Sequence, residues 1–245
     1  MNNLKKIYDE KGYLVVRKVF REKKLESAYA EILVSKDVDI YYDKNDQIRR
    51  IERIYNKGIE LNFLNNEIKK ILKRIFKEDF VIFKDKFNAK PPGGEGFFCH
   101  YDGIFEFTDE KNLKQPGWYK YSDFFINVLI AIDPCNERNG TLELSESQKM
   151  SFAKLLQNTK QDGSPDLKQD IESTLKFESI MLDIGDVVIF DNTCPHRSKK
   201  NNSSQNRRTL YYTYTLKRKG SYYNEYFKDK HASKNTNSKS LSGEI

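Results

Sequence analysis

Apolar positions along this chain follow two different rhythms. Up to about residue 78 they recur every three or four positions, the spacing that lays one helix face against a core. Residues 2–10 are polar-amphipathic and stop at Gly12, and Tyr13-Leu-Val-Val16 then has strand propensity. Residues 21–34 place Leu25, Ala28, Ile32 and Leu33 on one side. Residues 58–78 do the same through Ile59, Phe63, Ile68, Ile71, Leu72 and Ile75. The first third is therefore expected to be mainly helical.

From residue 80 short strand-like runs take over, each bounded by turn residues. Phe80-Val-Ile-Phe83 is followed by the turn Pro91-Pro-Gly-Gly94, and Phe97 to Asp102 alternates. Phe124 to Ile132 is a long apolar run ending at Asp133-Pro134, and Asn139-Gly140 marks a tight turn before Thr141-Leu-Glu-Leu144. Residues 148–175 are a polar, partly helical excursion. Ile180-Met-Leu182, Val187 to Phe190 and Thr209 to Thr215 complete the strands, with a turn at Ile184-Gly-Asp186. Helices first and short strands afterwards predict an antiparallel double-sheet jelly roll with helices packed outside it. The expected organisation is one domain over 1–216, its jelly-roll core starting near 80. Residues 217–245, rich in Lys, Ser and Asn, are expected to form a flexible basic tail.

A chain of 245 residues buries enough surface to fold without a disulfide or a structural metal. Three cysteines, none in a C-x-x-C pair, supply no disulfide framework. The opening residues lack an apolar stretch for a signal peptide, and no run nears the roughly 18 apolar residues of a membrane span. A cytoplasmic protein is expected. The net charge of +7 raises the question of nucleic acid, but Lys217, Arg218, Lys219, Lys228, Lys230, Lys234 and Lys239 carry most of that excess. Nucleic-acid binding is a weak reading, a small-molecule partner a better one; oligomeric state is not readable.

Candidate chemistry begins with scarcity: the chain has three histidines, and His231 lies in the tail. In Cys99-His-Tyr-Asp102 a strand would put His100 and Asp102 on one face. His196 can supply a third ligand. Two His and one carboxylate on one side of a metal form the facial triad of non-haem iron(II) oxygenases, leaving positions open for a co-substrate and O2. After His196 come Arg197, Ser198 and, eleven residues on, Arg207-Arg-Thr209 opening a strand. An R-x-T pair in that place suits 2-oxoglutarate, whose distal carboxylate a guanidinium grips bidentately. Arg207 shares strand parity with Thr209, Tyr211 and Thr213, a polar interior. Arg208 shares it with Leu210, Tyr212 and Tyr214, a face suited to packing on helices.

Several segments together resemble the phytanoyl-CoA dioxygenase-like branch of the 2-oxoglutarate oxygenases. They are Glu10-Lys-Gly-Tyr-Leu-Val-Val16, Phe87-Asn88, His100-Tyr-Asp102, Ile132-Asp-Pro134, Asn139-Gly-Thr-Leu142, Gly185-Asp-Val187, His196 and Arg207, in the family's order. The resemblance implies a double-stranded β-helix of the jelly-roll, cupin-like type. It implies iron(II) on His100, Asp102 and His196, 2-oxoglutarate on Arg207, O2 as oxidant, and a hydrogen bond to the co-substrate from Asn88. Ser198 and Thr209 are lesser candidates. A carboxylate at 102 takes the place a halide would need, so hydroxylation is the implied outcome. Leu144-Ser-Glu-Ser147 departs from the family's Pro-Gly-Ser-His-like stretch. Pro116-Gly-Trp-Tyr-Lys-Tyr121 is similar to a subgroup acting on small zwitterions, aminophosphonates among them. An acyl thioester, a natural-product intermediate, or a jelly roll that binds without turnover stay open.

Each candidate also has a plain role. Cys99 and Cys194 flank the proposed ligands and suggest zinc, yet Cys99 and His100 face opposite ways on a strand, which favours small buried apolar residues. Trp118, Tyr119 and Tyr121 can line a substrate pocket or simply pack. Lys84, Lys86 and Lys90 alternate on the strand of Asn88; solvated lysines are the commoner case, and inward, one of them, with Lys90 the candidate, meets an anionic substrate group. Asp186 reads as turn chemistry.

Overall fold

The computed structural model describes residues 2–109 and 111–236. In chain order it runs α1 (Asn2–Lys11), β1 (Tyr13–Val16), α2 (Glu22–Val34), β2 (Asp39–Tyr42), β3 (Ile48–Glu52) and α3 (Ile59–Phe76). There follow β4 (Phe80–Lys90), β5 (Phe97–His100), β6 (Phe107–Thr108), β7 (Lys114–Gln115) and β8 (Ile126–Ala131). After β9 (Leu142–Leu144) come α4 (Phe152–Asn158), α5 (Gln169–Thr174), β10 (Glu178–Ser179) and β11 (Val187–Asp191). The described residues close with β12 (His196–Ser198), β13 (Arg207–Leu216) and α6 (Tyr223–Thr236). The strands build a seven-stranded sheet ordered β1-β11-β8-β13-β4-β3-β2 and a four-stranded sheet ordered β10-β9-β12-β5, with β6 and β7 as a separate pair. Every pairing in the two main sheets is antiparallel. This is the double-stranded β-helix, a jelly roll.

The large sheet is buried on both faces, which explains its continuous apolar runs. In β8, Ile126, Val128 and Ile130 meet the helices, while Leu129 and Ala131 face the small sheet. Strand β11 divides the same way, Val187 and Ile189 outward, Val188 and Phe190 inward. Helices α2 and α3 cover the outer face through Leu25, Ala28, Ile32, Leu61, Leu64, Ile68 and Leu72. The expected helical faces shift slightly: Leu33, Ile59 and Phe63 are exposed. A β-carbon at Gly58 would meet the carboxylate of Glu31, which accepts from the amides of Glu60 and Leu61 at 3.0 Å each. That carboxylate satisfies two of the donors left open at the start of α3.

Three expectations need correction. The sheet does not begin at residue 80, since β1, β2 and β3 all join it, with β2–β3 as an edge hairpin beside β4. The chain does not fray after 216: residues 223–236 form α6, which buries Tyr226 and Phe227 against Phe83, Trp118 and Phe125. The expected flexibility of 237–245 lies outside the described residues. Asp102 is not on a strand, because β5 stops at His100. Among the described residues no helix is long and apolar enough to cross a membrane.

Asp186 ties the N-terminal segment to this frame. Its buried carboxylate accepts from the Lys18 amide at 2.8 Å, the Asp183 amide at 2.9 Å and Arg17 Nη1 at 2.7 Å. Burial works against the charge, but these donors outweigh it and hold the carboxyl below its ordinary value. Asp186→Ala is expected to cost about 2–4 kcal/mol at neutral pH by stranding two amides. A carboxyl depressed in the folded state contributes stability above its unfolded value, about 4, and loses it as pH falls through the folded one. The cost, read by urea melts, should therefore shrink below pH ~4; a cost independent of pH would contradict the assignment.

Candidate active site

The small sheet places the two histidines opposite one another, with His196 paired to His100 across β12 and β5. Their rings stand 4.1 Å apart, centre to centre, at 50°. His100 Nδ1 lies 2.7 Å from the Phe98 carbonyl and His196 Nδ1 lies 3.0 Å from the Cys194 carbonyl. A carbonyl accepts, so each Nδ1 carries the proton and each Nε2 keeps a lone pair for a ligand. Asp102 Oδ2 is 3.6 Å from His196 Nε2. One ligand atom from each of the three residues lies within 4.8 Å of the others, close enough for one ion. This is the only such group of three or more among the described residues.

The local chain is built to hold this arrangement. Beyond β5, the Asp102 amide donates to the Asn192 carbonyl at 3.1 Å, and Asn192 Nδ2 donates to the Asp102 carbonyl at 3.0 Å. Gly103 has φ +79°, and a β-carbon there would come within 2.5 Å of the Trp118 ring. Trp118 donates its amide to the Gly103 carbonyl at 3.1 Å. The turn after Asp102 thus needs glycine for both conformation and space. Burial, followed by the neighbouring His100, pushes His196 down to about 3 against the pull of Asp102. Burial also lowers His100. Asp102 goes to about 2 although burial opposes it, because His196, Lys86 and His100 favour its charge. Two neutral imidazoles and one carboxylate are the protonation states that metal ligation needs.

Facing this cluster across the cavity is the large sheet. Arg207, 2% exposed, lines the cavity and its Nε has no hydrogen-bond partner among the described residues. Arg208 turns the other way and grips Asp133 with Nε at 2.7 Å and Nη2 at 2.6 Å. Tyr212 and Tyr214, on the parity of Arg208, reach Leu61 and Asn65 of α3. Asn88 is paired with Thr209 across β4 and β13, and Asn88 Oδ1 and Thr209 Oγ1 are likewise buried without partners. Buried polar atoms are rarely left so. Asn88 and Arg207 line the cavity, and an unpartnered guanidinium N–H on that wall fits a ligand with a carboxylate. Metal and co-substrate therefore fit the residues present.

The other sequence candidates divide. Trp118, Tyr121 and Ser198 line the cavity, whereas Tyr119 packs on Phe152. Lys90 does not reach the cavity as a substrate contact: it is fully buried, donating to Gly140 O, Ser198 Oγ and Lys199 O at 3.1, 2.8 and 2.5 Å. It holds the turn after Asn139 against β12 and occupies Ser198. Cys99 and Cys194 are buried with apolar neighbours on different sides, and burial raises both thiols. Zinc finds no cysteine ligand here. Sequence reading missed the contribution of α6, whose Tyr226, Asp229 and Lys230 line the cavity, and that of Arg50 from β3.

Helix α6 is latched from several directions. Lys230 bonds the carboxylate of Glu52, a fully buried residue that Arg50 also approaches at 3.7 Å. Tyr223 donates to Asp85 at 2.8 Å, Tyr121 donates to Asp229 at 2.7 Å, and His231 Nε2 lies 2.7 Å from Asp39. Burial opposes ionisation of Glu52, yet Lys230, Lys84 and Arg50 hold it down to about 2. Removing one partner of a buried ion pair strands the other. Glu52→Gln is therefore expected to cost about 3 kcal/mol. Backbone amides of 226–232 should exchange at least about tenfold faster, as a locally released segment does. Unchanged exchange in α6 would show that the pair does not hold the helix.

The comparisons with known proteins agree with this fold. The family model for phytanoyl-CoA dioxygenase (PhyH) matches residues 8–209, and the chain belongs to that family. A 2-aminoethylphosphonate dioxygenase from an uncultured bacterium (HF130_AEPn_1) is 29% identical over 177 residues, 72% of this chain and 61% of that protein. A methylphosphonate hydroxylase from Gimesia maris is 28% identical over 180 residues, 73% of this chain and 62% of that one. The chain thus spans about three-fifths of the length of these relatives. Among solved structures, EctD from S. alaskensis, with 2-oxoglutarate and 5-hydroxyectoine, superposes with a TM-score of 0.67 at 16% identity. That match covers 88% of this chain and 76% of EctD. The carbocyclase SnoK, titled non-heme and alpha ketoglutarate dependent, gives 0.67 at 17% identity, covering 87% and 83%. At such identities the structural matches establish the fold.

Proposed function

We propose that this protein is an iron(II)- and 2-oxoglutarate-dependent dioxygenase that hydroxylates a small anionic or zwitterionic metabolite of the aminophosphonate kind. One observation carries the reading: the His100–Asp102–His196 cluster faces a buried Arg207 whose Nε has no protein partner among the described residues. In this reading the three side chains are the metal ligands. Arg207 takes the distal carboxylate of 2-oxoglutarate, with the Asn88 amide N–H and the Thr209 hydroxyl as further donors beside it. Bound iron(II) would couple reduction of O2 to decarboxylation of 2-oxoglutarate, giving succinate, CO2 and a hydroxylated product. The protein's own part is positional. Carbonyls of Phe98 and Cys194 fix both imidazole tautomers and aim each Nε2 inward. Asp102 keeps its charge against burial. Trp118, Tyr121 and Tyr226 shield the cavity from bulk water and leave room for a small substrate. The names of the two phosphonate-oxidising relatives support the substrate class.

The test is anaerobic addition of iron(II) and 2-oxoglutarate, following the weak visible charge-transfer band of the chelate. Wild type should develop the band, and His100→Ala, Asp102→Ala and His196→Ala should not. Arg207→Ala should need about 100-fold more 2-oxoglutarate, the loss of a doubly hydrogen-bonded charge pair. Iron binding in wild type with no dependence on 2-oxoglutarate would end the oxygenase reading.

A further inference from the structure

Most cations around the cavity lie directly against a carboxylate. Arg197 bonds Glu143 and Glu172, and Lys230 and Arg50 share Glu52. Asp166 pairs with Lys160 and Asp229 with Lys120. Lys84 and Lys86 remain. They stand two apart on β4, so they share a face, and both line the cavity. Neither makes an ion pair or a side-chain hydrogen bond among the described residues. Each instead lies over aromatic rings: Lys84 Nζ is 5.2 Å from the Trp118 ring and 5.7 Å from that of Tyr226, and Lys86 Nζ is 4.8 Å from Tyr211. A π face recovers only part of the hydration that a buried ammonium loses. Burial accordingly lowers both lysines, Lys86 to about 7.

Iron and 2-oxoglutarate would leave this imbalance in place. The metal's two charges and Arg207 are offset by Asp102 and the two carboxylates of the co-substrate. Lys84 and Lys86 then still have no carboxylate within ion-pair distance, although Glu52 and Asp102 favour their charge from further off. Resting on the oxygenase reading above, we propose that Lys84 and Lys86 form the anion-binding pole of the substrate site. A compact oxoanion able to carry two negative charges, such as a phosphonate, fits this pole better than a singly charged sulfonate or carboxylate. Trp118 and Tyr226 hold Lys84 from one side, and Tyr211 holds Lys86 next to the strand that carries Arg207. The β4 alternation itself separates the two anions: co-substrate oxygens go to Asn88 and its neighbours, and the substrate's charged group goes to positions 84 and 86.

The experiment uses three compounds of one skeleton, 2-aminoethylphosphonate, taurine and β-alanine, titrated into the anaerobic complex of protein, iron(II) and 2-oxoglutarate. Perturbation of the charge-transfer band reports binding beside the metal. In wild type the phosphonate should bind at least about tenfold more tightly than the sulfonate or the carboxylate. Lys84→Met and Lys86→Met should each weaken the phosphonate by at least about tenfold and leave the 2-oxoglutarate requirement within about threefold. The double variant should lose the discrimination, and Lys86→Arg should restore part of it. Melting temperatures of the methionine variants should stay close to wild type, because neither lysine is in a direct ion pair whose loss would strand a partner. Equal binding of the three compounds by wild type, or lysine variants that lose 2-oxoglutarate affinity instead, would overturn the assignment. Failure of wild type to form the band at all is a different result: it removes the oxygenase reading and this pole with it.

Discussion

The pairing of β5 with β12 decides the geometry of the cavity. It sets His100 directly across from His196, with Leu144 on the other side of His196, and the small sheet has no freedom to separate them. A one-residue slip in that register would turn one imidazole into the apolar layer behind the sheet. The layer itself argues against such a slip. Cys99, one residue from His100, is buried with Tyr101, Ile104, Leu155 and Leu167. Apolar neighbours thus hold the polar residues in register, and hydrophobic burial holds a geometry that two imidazoles alone would not select.

The same two-residue period operates on the facing wall. From Arg207 along β13, alternate residues enter the cavity side while Leu210, Tyr212 and Tyr214 are absorbed by α3. Arg208 is kept outside by Asp133, which engages both its side chain and its amide. That ion pair makes the choice between two adjacent arginines a structural necessity. A guanidinium satisfied on the outer face leaves its neighbour to point inward. The strands of the large sheet are apolar on both faces where they are covered on both, and polar on one face only where they border the cavity.

What could be read in the sequence follows from this periodicity. Strand parity separated Arg207 from Arg208, and helical spacing located α2 and α3 to within two residues. The parts that escaped have specific causes. Asp102 was placed on a strand by its spacing, but Gly103 and the Asn192 contacts bend the chain out of the sheet after His100. Lys90 has the parity of Lys84 and Lys86, yet it lies at the end of β4, where the carbonyls of Gly140 and Lys199 accept from its ammonium. The β2–β3 hairpin is half-exposed and short, so its pattern is faint. Helix α6 has weak amphipathicity because its inward face carries Tyr226, Asp229 and Lys230. Lysine there looks like solvated surface until its partner is known, and that partner, Glu52, lies 178 positions earlier in the chain. The aromatic run Tyr222-Tyr-Asn-Glu-Tyr-Phe227 was the available signal, since a solvated tail has no use for four aromatic rings.

The placement of α6 also bears on how family and individual are divided in this molecule. The family match ends at residue 209, inside β13, so it encloses His100, Asp102 and His196 and reaches Arg207. The wall furthest along the chain lies beyond it. That wall is joined to the matched region through charges and rings: Glu52 with Lys230, Asp85 with Tyr223, Phe83 with Tyr226. Changing the helix therefore alters the shape and charge of the cavity without touching the ligands or the register that sets them. In this chain the helix places Tyr226 over Lys84 and couples Lys230 to the acid that stabilises both cations, so the charge on β4 and the wall that covers it are one electrostatic unit.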